Sequence, residues 1–298
     1  MTRPVLPAPV LVLAAIASVQ FGSAVARTLF DDLGAAGVTL LRLGIAALVL
    51  AVATRPDVRA WPAAAWRAAA LLGVVMAGMN LLFYLSLRTV PLGIAVTVEF
   101  VGPLLLALVQ TRRLLDLLWA LSAAAGVTLL GLESGGTGPS AGAPLGGLAL
   151  ALLAGLCWAG YIVFSARLGS LVPGTGGLAV SLAVGALLVL PFGAGGAGAV
   201  IGEPGLLIGA TVVALLSSVF SYGLEINALR RIPTRVFGIL MSLEPAAAAL
   251  AGLLVLGQRL GAAEIVALLL VTLASAGVTL ARRDRDRGPA PQAVVEPL

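Results

Sequence analysis

Three carboxylates fall inside long apolar stretches of the chain: Glu99, Glu225 and Glu244. An ionised group at the centre of a bilayer costs on the order of a few kcal/mol or more, so it faces a bundle interior or a wet cavity. Glu99 stands four residues before Pro103, and Glu244 directly precedes Pro245. A proline within a helix removes one backbone hydrogen bond and frees a carbonyl about a turn earlier. Each of these glutamates is therefore expected where its helix is locally opened. Polar groups recur at helical spacing nearby. Ser217, Ser218, Ser221, Tyr222 and Glu225 share one face, as do Ala77, Asn80 and Tyr84, and more weakly Trp158, Tyr161 and Ser165. Together they suit the lining of one polar cavity. The competing readings are structural: glutamates tied to arginine or backbone, hydroxyl stripes joining helices, and an Arg42 that snorkels outward.

The residue inventory limits the chemistry. There is no histidine and no lysine, all 18 basic residues are arginine, and Cys157 is the sole cysteine. Ser-His, Cys-His and Ser-Lys nucleophile pairs are therefore impossible, as are a Schiff-base lysine and a phosphate-binding loop lysine. A zinc site of His and Cys ligands cannot be built. Asp31, Asp32, Asp57, Asp116, Asp284 and Asp286 are read as loop or tail residues, which excludes an intramembrane aspartyl pair. The 298 residues are 60% hydrophobic and only 10% charged, with a mean hydropathy of +1.10. Soluble domains carry about 25% charged residues, so these proportions describe a polytopic membrane protein. The net charge of +5 reflects arginine in cytoplasmic loops and does not point to nucleic acid.

Ten apolar segments can position these groups, a bilayer span needing about 20 residues. They run near Ala8–Ala26, Ala35–Ala53, Ala64–Leu87, Pro91–Thr111, Leu115–Leu132, Leu145–Ala166, Gly177–Phe192, Leu206–Leu229, Pro233–Leu256 and Ala262–Ala281. The Gly-rich stretches Ser134–Gly142 and Gly193–Gly205 read as loops. Arg3, the first apolar run and Ala24-Val25-Ala26 imitate a signal peptide; cleavage there would leave nine spans. With the N-terminus in the cytoplasm, fourteen arginines fall inside and three outside, with Arg42 inside a span. The positive-inside rule thus places both termini in the cytoplasm. Pro91 and Pro103 have the same spacing as Pro233 and Pro245, and Ala125-Gly126-Val127-Thr128-Leu129 matches Ala276-Gly277-Val278-Thr279-Leu280. Two halves of five helices each must be inverted relative to one another, a transporter signature.

These motifs carry a resemblance. Phe83-Tyr84-Leu85-Ser86-Leu87 with Thr89-Val90-Pro91-Leu92-Gly93-Ile94-Ala95, Glu99-Phe100-x-Gly102-Pro103-Leu104, and Pro233-Thr234-Arg235-x-Phe237-Gly238-x-Leu240-Met241-Ser242-Leu243-Glu244-Pro245 resemble the ten-helix branch of the drug/metabolite transporter superfamily, with two EamA-type halves. Within that branch the chain looks closest to bacterial threonine/homoserine exporters. The similarity covers nearly the whole chain except the tail. One departure is Gln258, which stands where relatives commonly carry Glu. The resemblance implies an efflux carrier of the cytoplasmic membrane, driven by the proton gradient, with a central cavity between the halves.

The expected architecture is an all-α membrane protein of ten transmembrane helices arranged as two inverted five-helix repeats. Residues 1–133 form the first half, 134–144 a linker, 145–281 the second half and 282–298 a disordered cytoplasmic tail. The expected function is export of small amino acids by alternating access. Glu99, Glu244, Glu225, Asn80, Tyr84, Ser221, Tyr222, Trp158, Tyr161 and Arg42 are the candidate binding residues. Glu99 and Glu244 are the candidate proton carriers, and Pro103 and Pro245 break the helices. Amino acid, protons and membrane lipids are the expected partners, and no cofactor or metal is called for. The expected assembly is a monomer or weak dimer. The alternatives are export of another metabolite or a drug, and a membrane sensor or structural protein without flux.

Overall fold

The computed structural model describes residues 7–109, 114–133, 143–229, 231–232 and 234–281. Alanine and leucine are the commonest of these residues. In hydrocarbon every backbone polar group must be satisfied within its own segment, which such a sequence does by coiling into helix. The helices are α1 (Ala8–Thr28), α2 (Phe30–Thr54), α3 (Ala63–Ser86), α4 (Leu92–Glu99), α5 (Val101–Val109), α6 (Leu114–Glu133), α7 (Leu145–Leu171), α8 (Gly176–Ala197), α9 (Pro204–Ala214), α10 (Ser221–Leu229), α11 (Thr234–Met241), α12 (Glu244–Leu256) and α13 (Ala262–Ala281). A π-helical segment, Leu215–Phe220, joins α9 to α10. Pro7, Pro62, Pro91 and Pro144 directly precede α1, α3, α4 and α7. There the lost N–H costs little, because first-turn donors lack intrahelical acceptors anyway.

Eight helical runs are long and apolar enough to cross a membrane: Ala8–Thr28, Phe30–Thr54, Ala63–Ser86, Leu92–Val109, Leu145–Leu171, Gly176–Ile201, Pro204–Glu225 and Val236–Leu256. Two shorter apolar runs, Leu121–Leu130 and Ala262–Gly277, lie in α6 and α13. The protein is a multi-pass membrane protein. Its outside is correspondingly greasy: Leu187 is 67% exposed and Phe192 71%. On a water-soluble protein a patch of that kind would drive association; on this one it faces lipid.

Helices from the two ends of the chain interleave. α2 lies along α8, α3 along α7, and α6 along α13, while α1 contacts α9, the π segment, α10 and α12. α4 packs on both α12 and α7, and α5 packs on α7. The largest core cluster therefore joins Phe30, Leu33 and Val38 with Leu92, Ile94, Leu148, Leu206 and Ala248.

Several expectations need correction. The stretch Gly193–Gly205 is not a loop: α8 continues through Pro191 to Ala197, a short 3₁₀ turn follows, and α9 starts at Pro204. The reason is packing. Cβ atoms at Gly193 and Gly196 would strike the carbonyls of Ala36 and Leu33, so these glycines let α8 lie against α2. Asp31 and Asp32 belong to the first turn of α2, ahead of a break at Gly34 (φ 67°, ψ 160°), and Asp116 lies in α6. A positive φ of that kind is open to glycine and strained for other residues. Ser134–Gly142 and the tail from Arg282 lie outside the described residues.

Candidate functional site

The fourth apolar run is interrupted at Phe100, between α4 and α5. Three residues on, Pro103 has no N–H to give the Glu99 carbonyl. That carbonyl lies against Gly155 of α7, so close that a Cβ at Gly155 would collide with it, and Gly102 meets the Gly155 carbonyl in return. Glu99 is thereby the last residue of α4, buried at 8% exposure. The ninth apolar run breaks at Ser242 and Leu243, and Glu244 opens α12 with Pro245 behind it. A carboxylate at a helix N-terminus is favoured by the helix dipole. The Glu244 side chain is 5% exposed, and among the described residues its Oε2 has no hydrogen-bond partner. Both glutamates thus occupy helix interruptions, as their prolines predict.

A cavity of about 460 Å³ joins the two breaks. Arg42, Asn80, Glu99, Trp158, Tyr161, Ser221, Tyr222, Glu225 and Glu244 all line it, together with Pro103. Pro245 does not line it and stands behind Glu244. Trp158 meets Phe100 edge-on at 5.2 Å, and Tyr161 stacks on Tyr222 at 6.0 Å. Ser221 donates to the Glu225 carboxylate at 3.1 Å. Asn80 spends its amide N–H on the Met76 carbonyl at 2.8 Å. Apolar side chains and a few convergent polar groups are the usual composition of a small-molecule site.

Arg42 does not snorkel. It is 4% exposed and donates three hydrogen bonds inside the bundle. Nη1 donates to the Tyr84 hydroxyl at 2.9 Å, Nη2 to the Ser217 carbonyl at 2.9 Å and Nε to the Ser218 hydroxyl at 3.1 Å. Its guanidinium also lies 5.4 Å from the centre of the Tyr84 ring. Tyr84 itself is fully buried and stands behind Arg42, off the cavity wall, where it orients the guanidinium. All three acceptors are neutral. Among the described residues no carboxylate forms a direct ion pair with Arg42; Glu99, on the same cavity, interacts with its charge at longer range.

The end of α12 is tied to the start of α4. Gly257 (φ 66°) terminates α12 and turns Gln258 back towards α4. The Gln258 carboxamide oxygen then accepts the Leu92 N–H at 2.9 Å, capping the first turn of α4, whose N–H groups lack intrahelical acceptors. Gly93 sits against Ala249 on the same seam. A neutral amide suffices for this contact.

Comparison with known proteins fits this picture. The EamA-like transporter family matches residues 145–280. The threonine/homoserine exporter RhtA of Escherichia coli (strain K12) is 41% identical over 278 residues, covering 93% of each chain. RhtA of Salmonella typhimurium (strain LT2) is 42% identical over 276 residues, covering 92% of each. The chain belongs to the EamA-like transporter family. It is accordingly a transporter-family protein and not an enzyme. A crystal structure of a protein 20% identical to this transporter superposes with a TM-score of 0.60 over 93% of this chain and 97% of that one, a likeness of fold.

The transporter's cavity also holds residues that the sequence did not single out. Gln20 and Ser23 of α1, and Ser275 and Thr279 of α13, stand on its wall. Gln20 is the sole carboxamide in the first apolar run, and that isolated amide was the available signal. Ser275 and Thr279 carry none, since small hydroxyl residues are common in membrane helices.

Proposed function

We propose that this transporter exports small amino acids of the threonine or homoserine type across the bacterial cytoplasmic membrane. One observation carries the reading: a single cavity holds a buried guanidinium that forms no direct ion pair among the described residues, together with carboxylates on α4, α10 and α12. A zwitterion needs both. Arg42 takes the α-carboxylate, for which a guanidinium is geometrically suited. Glu99 or Glu244 takes the ammonium. Asn80, Trp158, Tyr161, Ser221 and Tyr222 shape the remainder, and Tyr84 holds Arg42 in place. The relatives named as threonine/homoserine exporters support the substrate class.

Transport proceeds by alternating access of two inverted five-helix halves, residues 1–133 and 145–281. Helix pairing supports this. Counting the ten apolar runs in chain order, the first packs on the eighth as the sixth does on the third, and the first packs on the ninth as the sixth does on the fourth. The second meets the seventh, the fourth the ninth and the fifth the tenth. Exchanging the halves maps this set onto itself. With both termini in the cytoplasm, Ala107, Ser165, Glu225 and Thr279 mark the inner mouth of the cavity. The Leu92–Gln258 seam then closes the outer end, an inward-facing state.

Without histidine or lysine, the glutamates are the proton carriers. An ionised glutamate holds the ammonium on the way out. A proton arriving from outside neutralises it, the amino acid leaves, and the neutral carboxyl returns to discharge inside. The test is counterflow of labelled threonine and homoserine in proteoliposomes, with and without an imposed pH gradient. Uptake of both, stimulated by the gradient, is expected; absence of amino-acid counterflow overturns the reading.

A further inference from the structure

We infer that Gln20 recognises the side-chain hydroxyl of the exported amino acid and so sets specificity for hydroxylated substrates. This rests on the amino-acid export reading and goes beyond it, to a residue of α1 on which that reading does not depend. Gln20 is 4% exposed, lines the cavity, and among the described residues its carboxamide oxygen has no hydrogen-bond partner. A buried acceptor left without a donor is costly, and native structures rarely leave one without reason. A substrate donor reaches that oxygen when the carboxamide turns towards the cavity the residue lines, and so removes that cost.

Elimination identifies the donor. The substrate ammonium has carboxylates to meet it, and its carboxylate has nothing to donate. The side-chain hydroxyl remains, and it is the one substrate group that both donates and accepts. A carboxamide does the same, offering an oxygen and an N–H₂ side by side. The other amide of the cavity, Asn80, already spends an N–H on the Met76 carbonyl. The Ser221 hydroxyl donates to Glu225, and that of Ser218 accepts from Arg42 Nε. Among the described residues, no hydrogen bond commits the Gln20 side chain.

Placement agrees. Ser217 gives its carbonyl to Arg42, while its hydroxyl abuts Gly22 of α1, where a Cβ would collide with it. Ser18 donates to the Leu216 carbonyl at 2.7 Å, pinning the same turn of α1 to the same segment. Gln20 is two residues from each of these anchors along α1 and lines the same cavity as Arg42, the group that takes the substrate carboxylate. A β- or γ-hydroxyl is only two or three bonds from the α-carbon.

The test is competition against labelled threonine counterflow by unlabelled threonine and by 2-aminobutyrate, its counterpart without the hydroxyl. In the unaltered protein threonine should compete about tenfold or more better, the worth of one hydrogen bond to a buried acceptor. In Gln20→Leu, and independently in Gln20→Met, that preference should fall to about threefold or less, because threonine weakens while 2-aminobutyrate does not. Retained 2-aminobutyrate competition also reports an intact fold. A preference unchanged in both variants overturns the inference, whether or not both solutes weaken together. An unaltered protein that moves labelled threonine but does not prefer it also overturns the inference and leaves the export reading standing. An unaltered protein that moves no amino acid refutes export itself, and the inference with it.

Discussion

Replacing Arg42 with glutamine tests the core of the zwitterion account. The guanidinium holds three neutral acceptors at 2.9, 2.9 and 3.1 Å, and among the described residues it forms no direct ion pair with a carboxylate. A hydrogen bond to a charged group contributes about 1.5–3 kcal/mol. Losing one such contact to the substrate carboxylate therefore lowers apparent threonine affinity by about tenfold to about 150-fold, at 1.4 kcal/mol per decade. The fold should survive: Tyr84 is held by Phe30 and Phe83 at ring distances of 5.4 and 6.0 Å, and α1 stays tied to the π segment through Ser18. Arg42→Lys keeps the charge but cannot serve three diverging acceptors, so it should fall between. The assay is counterflow in proteoliposomes, with thermal unfolding in detergent as the check on folding. Threoninol, which lacks the carboxylate, supplies the internal control. The unaltered transporter should prefer threonine to threoninol, and Arg42→Gln should not. A well-folded Arg42→Gln protein with unaltered threonine affinity would refute the reasoning.

Glu99→Gln and Glu244→Gln preserve side-chain shape, so both proteins should melt close to the parent; at least one should lose stimulation by a pH gradient, and full stimulation in both would remove the glutamates as proton carriers. Gly155→Ala drives a methyl into the Glu99 carbonyl and should destabilise by about 1–3 kcal/mol or more, read as a lower melting temperature. Gly146→Ala on the same helix, with nothing within 4 Å of the added Cβ, is the silent control. With Cys157 first replaced by alanine, Leu92→Cys and Gln258→Cys joined by a short bifunctional thiol reagent should stop counterflow by holding the outer end shut. Undiminished exchange after complete cross-linking would show that this seam never opens.

What the chain disclosed in advance follows from two kinds of regularity. Period and composition mark apolar helices well, because a bilayer leaves few other solutions. Proline beside glutamate marks the breaks, because a missing N–H is a covalent fact: Glu99 and Glu244 lie where that logic put them. Glycine misled. In Gly193–Gly205 it reads as turn, yet the first five residues of that stretch are helix pressed against α2. From sequence, a glycine chosen for close approach is identical to one chosen for backbone freedom. Arg42 was open to two directions, and only its neighbours Tyr84, Ser217 and Ser218 decide for the interior. Gln20 went unnoticed because one amide in a run with Ser18 and Ser23 has no period to betray it. The π segment was hidden for a related reason: the spacing of Ser217, Ser221 and Glu225 fits a regular helix equally well.

That π segment bears on how the chain takes a change in length. Each residue advances a regular helix by about 100°, and a π turn absorbs one more than the helix requires. Deleting a single residue between Leu215 and Phe220 would remove that surplus and let α9 run straight into α10 with the faces on either side still in register. Deleting one from the regular helix around it would instead turn the two stretches against each other by roughly that angle, taking Tyr222 and Glu225 off the wall they share with Ser217. The segment is thus where this run of the chain best tolerates a change in residue count.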